Sequence, residues 1–227
     1  MKVDAFTARP GKPIPIHSSW TAPQGFYARF GKRIFDLVGA ILLLPIAAPV
    51  IVAFWVMIRV TGPSGFFAHE RIGRNGRILK CWKLRTMVPD AEARLEKQLS
   101  NCEKTRAEWN SNFKLEKDPR ITRIGHFLRR SSLDELPQIW NVLCGDMSLV
   151  GPRPVVMDEL AQYGEYQALY LSCRPGVTGV WQTSGRNDIS YQERVEMDAG
   201  YIRKMALMHD FGIVLKTALV VAKATGK

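Results

Sequence analysis

An α+β fold, mostly helical, with one small β-hairpin and a membrane helix near its N-terminal end, is what this sequence predicts. Three observations carry the expectation. Residues 34–58 are apolar apart from Asp36, and at about 1.5 Å per residue such a helix reaches across a bilayer core of roughly 30 Å. Asn75-Gly76 stands between Phe66-Phe67 and the run Ile78 to Leu84, a strong hairpin signal because a type I′ turn needs positive φ at both central positions. Downstream, apolar residues recur at helical spacing in several segments. At 227 residues the chain has room for one substantial domain plus accessories. Its net charge of +11 points to anionic partners: nucleic acid, lipid headgroups or phosphorylated small molecules. Cys81, Cys102, Cys144 and Cys173 form no C-x-x-C pair. They suggest neither a zinc site nor a disulfide framework, hence a reduced, cytoplasm-facing protein.

Residues 1–28 hold Pro10, Pro13, Pro15 and Pro23 with few periodic apolar positions, and read as a flexible basic leader. The membrane segment, taken as 29–60, starts too late and runs too long for a cleavable signal peptide. Arg29, Lys32 and Arg33 flank it on one side, and Arg59, Arg71 and Arg74 follow on the other. Basic flanks favour the cytoplasm, so a single crossing strands one of them. Pro45 and Pro49 each remove a helical hydrogen bond. A re-entrant helix-break-helix turning near Ala48-Pro49 satisfies both flanks; a single-pass anchor is the alternative.

Thr61-Gly62-Pro63-Ser64-Gly65 is turn chemistry at the bilayer exit. The hairpin that follows is basic, with Arg71, Arg74, Arg77, Lys83 and Arg85. A lone arginine would be solvated charge, but clustered beside glycines such cations suit phosphate. Asp90 to Trp109 reads as one charged structural helix with Ala91, Leu95, Leu99 and Cys102 near one face. From Lys117 to Arg130, basic residues interleave with Ile121, Ile124, Phe127 and Leu128, an amphipathic segment fit for an anionic interface. His126 lacks a second His at ligand spacing and is not read as a metal ligand.

Ser131-Ser132-Leu133-Asp134-Glu135-Leu136-Pro137 carries the sharpest chemistry. Leu136, Ile139, Trp140 and Leu143 form one apolar stripe, so a helix starts near the acids. Two frames are open. Ser132 and Glu135 as a capping box would place Pro137 one turn inside. Asp134 or Glu135 as cap places it in the permissive first turn, and this later start is preferred. In both frames the positive end of the helix dipole favours anions. On local grounds alone the two acids are caps.

Met157 to Leu171 reads as a helix ended by Arg174-Pro175-Gly176, and Val177 to Gln182 as a short strand or loop. Ser190 and Glu193 form a capping box that opens another helix. His209 to Ala224 is the last. Phe211, Val214, Leu215, Ala218, Leu219 and Ala222 share one side of it, either packed in the core or lying on lipid with Lys216 and Lys223 near phosphates.

Lys83-Leu84-Arg85-Thr86-Met87, Asp118-Pro119-Arg120, Phe127 to Pro137, Asn141 to Pro154 and Arg174-Pro175-Gly176-Val177-Thr178-Gly179 together resemble the bacterial sugar transferase family, the monotopic polyprenyl-phosphate phosphoglycosyl transferases. The resemblance covers roughly residues 30 to 227. It implies a mixed α and β fold anchored by a re-entrant helix in the bacterial inner membrane, with 61–227 as a cytoplasmic catalytic domain carrying interfacial amphipathic helices. It further implies transfer of a sugar-1-phosphate, galactose or glucose being the expected hexoses, from a UDP-sugar to undecaprenyl phosphate. UMP is released, and the step begins exopolysaccharide or related glycan assembly.

The family's adjacent Asp-Glu falls on Asp134-Glu135. By resemblance Asp134 is the nucleophile that becomes a phosphosugar-aspartyl intermediate, and Glu135, with Asp134, holds Mg2+. The residue types suit these roles, because phosphoryl transfer needs positioning and charge neutralisation, and Mg2+ favours one or two carboxylates plus phosphate oxygens. Arg129, before the pair, is placed to stabilise charge on the transferred phosphate. Lys83 and Arg85 resemble phosphate-binding cations, Pro152-Arg153-Pro154 the nucleotide-contacting turn, and Arg186 a basic substrate-side residue. Gly145 to Ser148 shapes the turn presenting Arg153, with Asp146 open between a cap and the metal shell.

Three departures stand out. Ala48-Pro49 occupies the place of the usual Ser-Pro, Pro45 is additional, and Met205-Ala206 replaces a commoner Trp-Ser, which leaves the role of Asp210 open. The partners implied are the UDP-sugar, the lipid acceptor and inner-membrane lipids, with homo-oligomerisation open. A non-catalytic basic membrane scaffold is the competing class and would not need Asp134. Nucleic acid is not expected, since no helix-turn-helix, RNP-like or zinc-finger signature is present.

Overall fold

The long apolar run forms one helix. In the structure, a computed structural model, residues 25–61, 64–112, 115, 118–184 and 189–222 are described. Most of the leader, Gly62-Pro63, Lys117, Arg186 and Lys223-Ala224 therefore lie outside the described residues. A π-helical turn, Tyr27–Gly31, leads into α1 (Lys32–Thr61), which contains Pro45 and Pro49 and continues past both. Each proline deprives the carbonyl four residues earlier of its donor. Only 11% of the most apolar window is buried. A core helix would hide its apolar stripe, so α1 is a candidate membrane anchor.

The chain falls into two compact units, one of residues up to 42 with Ala68–Cys81 and Gln138–Ala218, the other of Leu43–Phe67, Trp82–Pro137 and residues from 219. α1 and the hairpin contribute to both. The hairpin pairs β1 (Phe66–Ile72) with β2 (Ile78–Leu84). Asn75 (φ 59°) and Gly76 (φ 73°) both take positive φ as the sequence requires, and the Arg77 N–H closes the turn on the Arg74 carbonyl at 3.3 Å.

In the second unit, Ile58, Leu84 and Leu128 form a core flanked by Ile51, Phe54, Trp55, Phe66, Ile124 and Leu133. The expected single helix from Asp90 to Trp109 is two, α2 (Ala91–Asn101) and α3 (Glu103–Asn112), because Cys102 is extended at φ −140°. Ser100, Asn101 and Cys102 are weak helix formers, and the Ser100 hydroxyl bonds back to the Lys97 carbonyl. The amphipathic segment becomes α4 (Arg123–Ser131), whose Gly125 and Leu128 are buried. Phe127 stays 48% exposed and meets Phe54 at 5.8 Å. Ile124 and Leu128 thus serve the core.

In the first unit, α5 (Gln138–Cys144) buries Gln138, Ile139, Asn141 and Val142. Trp140 is 63% exposed, so the predicted stripe is rotated. Asn141 occupies the buried face because its amide donates to the Lys80 carbonyl at 2.8 Å, an acceptor that apolar periodicity does not register. The unforeseen parallel pair β3 (Ser148–Val150) and β4 (Gly176–Thr178) aligns Ser148 with Gly176 and Val150 with Thr178. Three residues are too short to show a period. Gly176 has no room for a side chain, since a Cβ there would stand 2.1 Å from the Gly151 nitrogen.

The expected helix from Met157 to Leu171 divides into α6 (Met157–Ala161), a 3-10 turn at Gly164–Tyr166 and α7 (Gln167–Ser172), because Gly164 takes φ +52°. Ile72, Val155, Leu160, Tyr163, Tyr170, Leu171 and Val195 form this unit's core. After α8 (Val180–Thr183), the predicted capping box opens α9 (Tyr191–Arg203), with Ser190 N–H to Glu193 Oε2 at 2.8 Å and Glu193 N–H to Ser190 Oγ at 3.3 Å. Last comes α10 (Leu207–Ala222), which buries Asp210 and Ile213. Phe211, Leu215 and Leu219 remain more than half exposed, so that face does not pack in the core of the described chain.

Candidate active site

Two of the sequence motifs are laced together by backbone. Val88 N–H donates to the Arg120 carbonyl at 2.9 Å, and Thr122 N–H to the Thr86 carbonyl at 3.0 Å. Met87 and Ile121 form an antiparallel bridge. Thr122 then caps α4, its Oγ1 accepting from Gly125 N–H at 2.9 Å. A Cβ on Gly125 would stand 2.1 Å from the Thr86 carbonyl oxygen. Gly125→Ala is therefore expected to push α4 off the end of β2. Thermal unfolding should show a loss of about 1–3 kcal/mol, with a matching fall in turnover.

That seating places the cations. Arg129, in the last turn of α4, donates from Nε to Thr86 Oγ1 at 2.9 Å. Arg120 grips the buried Asp118 through Nε at 2.8 Å and Nη2 at 2.7 Å. Arg85 lies over the Phe67 ring at 5.7 Å, and its buried Nε has no hydrogen-bond partner among the described residues. Thr86 and Thr122 were not singled out from the sequence. Their signal is the hydroxyl beside each basic motif.

The acids follow on a left-handed turn. Ser132 takes φ +58° and ends α4, and Leu133–Glu135 is a 3-10 turn that runs through Leu136 and Pro137 to α5. The capping box of Ser132 with Glu135 does not form, because an N-cap needs extended backbone. The start is later than either frame: α5 begins at Gln138, so Pro137 precedes the helix instead of lying in its first turn, and Asp134 and Glu135 lie in the 3-10 turn before it instead of capping it. Ser131 bonds back to the Phe127 carbonyl at 2.8 Å, which helps end α4 there.

Asp134 is only 8% exposed, and burial pushes its pKa up to about 6 against the attraction of Lys83, with Glu135 raising it further and Arg129 opposing. Glu135 accepts an ion pair from Lys83 at 2.6 Å. A buried carboxyl that feels nearby cations can stay ionised at neutral pH while shielded from water, which is what a carboxylate nucleophile would need. Among the described residues no group of three or more His, Cys, Asp or Glu could hold a metal. Asp134 and Glu135 alone suit Mg2+ completed by substrate phosphates, and do not make an all-protein cage.

Pro152 and Arg153 belong to the other unit. They follow β3, with the Pro152 carbonyl accepting from Gly176 N–H at 2.8 Å and Arg153 over the Trp181 ring at 5.9 Å. Gly145 takes φ +87° after α5 and Asp146 is exposed. Asp210, whose role was open, is wholly buried and accepts from Tyr27 Oη at 2.5 Å, Tyr201 Oη at 2.7 Å and Lys32 Nζ at 2.9 Å. It ties the base of α1 to α10.

A family model described as bacterial sugar transferase matches residues 27–224. The chain belongs to the bacterial sugar transferase family. Among relatives, it is 47% identical over 199 residues to an undecaprenyl-phosphate galactose phosphotransferase of Salmonella typhimurium, covering 88% of this chain and 42% of the relative. It is 44% identical over 214 residues to the exopolysaccharide production protein ExoY of Sinorhizobium fredii, covering 94% of this chain and 93% of that one. A UDP-glucose:undecaprenyl-phosphate glucose-1-phosphate transferase of Escherichia coli is 35% identical, with 90% of this chain and 43% of its own length covered. The chain thus spans about two fifths of the length of several relatives and nearly all of ExoY. For this sugar transferase family member, the matched span includes every described residue of the acidic turn and its cations.

Proposed function

We propose that this protein transfers a sugar-1-phosphate from a UDP-sugar to undecaprenyl phosphate, as the first membrane step of exopolysaccharide or related glycan assembly. The observation that carries the reading is the buried Asp134 between Lys83 and Arg129. An Asp134 carboxylate oxygen attacks the phosphorus that bears the sugar, and the bond to the UMP oxygen breaks. The phosphosugar-aspartyl is then attacked by an oxygen of undecaprenyl phosphate, which restores the carboxylate. Lys83, Arg85 and Arg129 neutralise charge on the transferring phosphate. Arg153 holds the nucleotide, and Arg186, outside the described residues, is a further candidate for binding substrate. Glu135 and Asp134 would hold Mg2+, which would supply further charge neutralisation. A hexose donor, galactose or glucose, accords with the names of the relatives.

Residues 29–60 anchor the protein and 61–227 form the catalytic part on the cytoplasmic face of the bacterial inner membrane. Basic residues on both flanks and two prolines support a re-entrant α1 that bends near Ala48-Pro49. The exposed apolar face of α10 lies on lipid. An impermeant label reaching residue 2 from outside the cell would refute the re-entrant course. The activity itself is tested by UMP release from a panel of UDP-sugars with undecaprenyl phosphate and Mg2+; UDP release in place of UMP would mean glycosyl transfer instead.

A further inference from the structure

Thr86 is a polar side chain that the reaction as written does not use. It lies just past the end of β2, after Lys83-Leu84-Arg85, and is only 7% exposed. It meets α4 at both of that helix's ends. Its carbonyl accepts from the Thr122 N–H at 3.0 Å, where α4 begins, and its Oγ1 accepts from Arg129 Nε at 2.9 Å, in the last turn. The first contact seats the helix and uses only backbone. The second needs a side-chain acceptor, which among residues of this shape only threonine supplies.

Arg129 is held by its backbone on one side and by Thr86 on the other. Its carbonyl accepts from the Ser132 N–H at 3.2 Å, so it opens the left-handed turn that leads to Asp134. Its half-buried guanidinium has no ion pair among the described residues, since Asp118 pairs with Arg120 at 2.7 Å and Glu135 with Lys83 at 2.6 Å. A long arginine side chain samples many rotamers unless something fixes it. A carboxylate would fix it and cancel its charge; a hydroxyl fixes it and leaves the charge for a ligand. Contact through Nε also leaves both terminal nitrogens, a planar fork that can take two phosphate oxygens. Threonine is stiff at χ1, so the buried Oγ1 presents its acceptor in one direction.

We infer that Thr86 is a positioning residue: its hydroxyl holds the Arg129 guanidinium by Nε, so that the two terminal nitrogens face the phosphate transferred at Asp134. The inference rests on the reading of Arg129 as the cation that stabilises charge on that phosphate, and supplies the contact that aims it. It accounts for a hydroxyl at this buried position, where neither a carboxylate nor an apolar side chain would both hold the arginine and keep its charge.

The test is steady-state UMP release by the full chain in detergent or lipid, with Mg2+ and undecaprenyl phosphate present and UDP-galactose or UDP-glucose varied. Thr86→Val keeps the shape and the backbone contact and removes the acceptor. It should lower kcat about tenfold, the worth of one hydrogen bond to a charged group, with the donor KM within about twofold, because the contact acts on charge that grows in the transition state. Thr86→Ser returns the acceptor and should bring kcat to within about threefold of the parent. In an Arg129→Ala background, itself slow, Thr86→Val should add nothing. If the Val protein does not fold, Thr86→Ala lacks the hydroxyl equally and is read in the same way. An unchanged kcat without the hydroxyl, while Arg129→Ala is slow, would overturn the inference and leave the reading of Arg129 intact. If Arg129→Ala releases UMP at the parent rate, both fall. A loss of equal size in both backgrounds, or a Ser variant as slow as the Val variant, would make Thr86 a packing residue and likewise overturn the inference.

Discussion

Asp134→Asn lowers UMP release by a factor on the order of 10³ or more, because removing the nucleophile removes the covalent route and leaves only binding and charge stabilisation. The same substitution raises stability at neutral pH. The folded-state pKa of Asp134 is raised from 3.8 to about 6, so its contribution to stability is fully present below the unfolded value and is lost as pH rises through the folded one. At pH 7 the ionised, buried carboxylate is a liability of about 2–3 kcal/mol, which a neutral amide of the same shape avoids. Unfolding followed from pH 4 to pH 7 should show the Asn variant gaining on the parent as pH rises, with no gain near pH 4. For the parent, kcat/KM should fall as pH drops below about 6, where the nucleophile of the free enzyme is protonated. An Asn variant that releases UMP at the parent rate would sink Asp134 as the nucleophile.

Asp210→Ala costs about 3–5 kcal/mol, the penalty for leaving a buried ammonium without its main partner. Lys32 would keep Asp36, at 3.3 Å, as its acidic partner among the described residues, and the Tyr27 hydroxyl would lose an acceptor at 2.5 Å. The Tyr201 hydroxyl retains the Val150 carbonyl at 3.2 Å. For a chain of this size the loss corresponds to roughly 10 °C in melting temperature. Thermal unfolding in detergent checks it. Asp210→Asn should lose less, since its amide oxygen still accepts from one tyrosine. An Ala variant melting with the parent would show that the buried network does not hold α1 to α10.

What the sequence disclosed and what it hid divide along physical lines. The hairpin was legible because Asn75-Gly76 encodes a backbone conformation that few other pairs adopt. The Ser190 capping box was legible because both partners sit three residues apart. The acidic turn was legible as chemistry but not as geometry, because nothing local foretells that Ser132 takes positive φ and turns Asp134 inward. The rotated face of α5 depended on the Lys80 carbonyl of β2 accepting from Asn141, and the β3 to β4 ladder on two glycines in contact across 25 positions of sequence, Gly151 and Gly176. The Asp210 network joins residues from both ends of the chain. Such long-range polar pairings carry no periodicity, so they become visible only in the fold.

The account stands on Asp134 forming a bond to phosphorus. The most direct measurement is intact-protein and peptide mass spectrometry after brief incubation with UDP-galactose or UDP-glucose and Mg2+, without acceptor lipid. The account predicts a mass increase of one hexose phosphate on the peptide that contains Asp134, stoichiometric UMP, discharge of the adduct by undecaprenyl phosphate, and no adduct in Asp134→Asn. Turnover with no adduct, and UMP appearing only when the acceptor is present, would contradict it in favour of direct transfer between the two substrates.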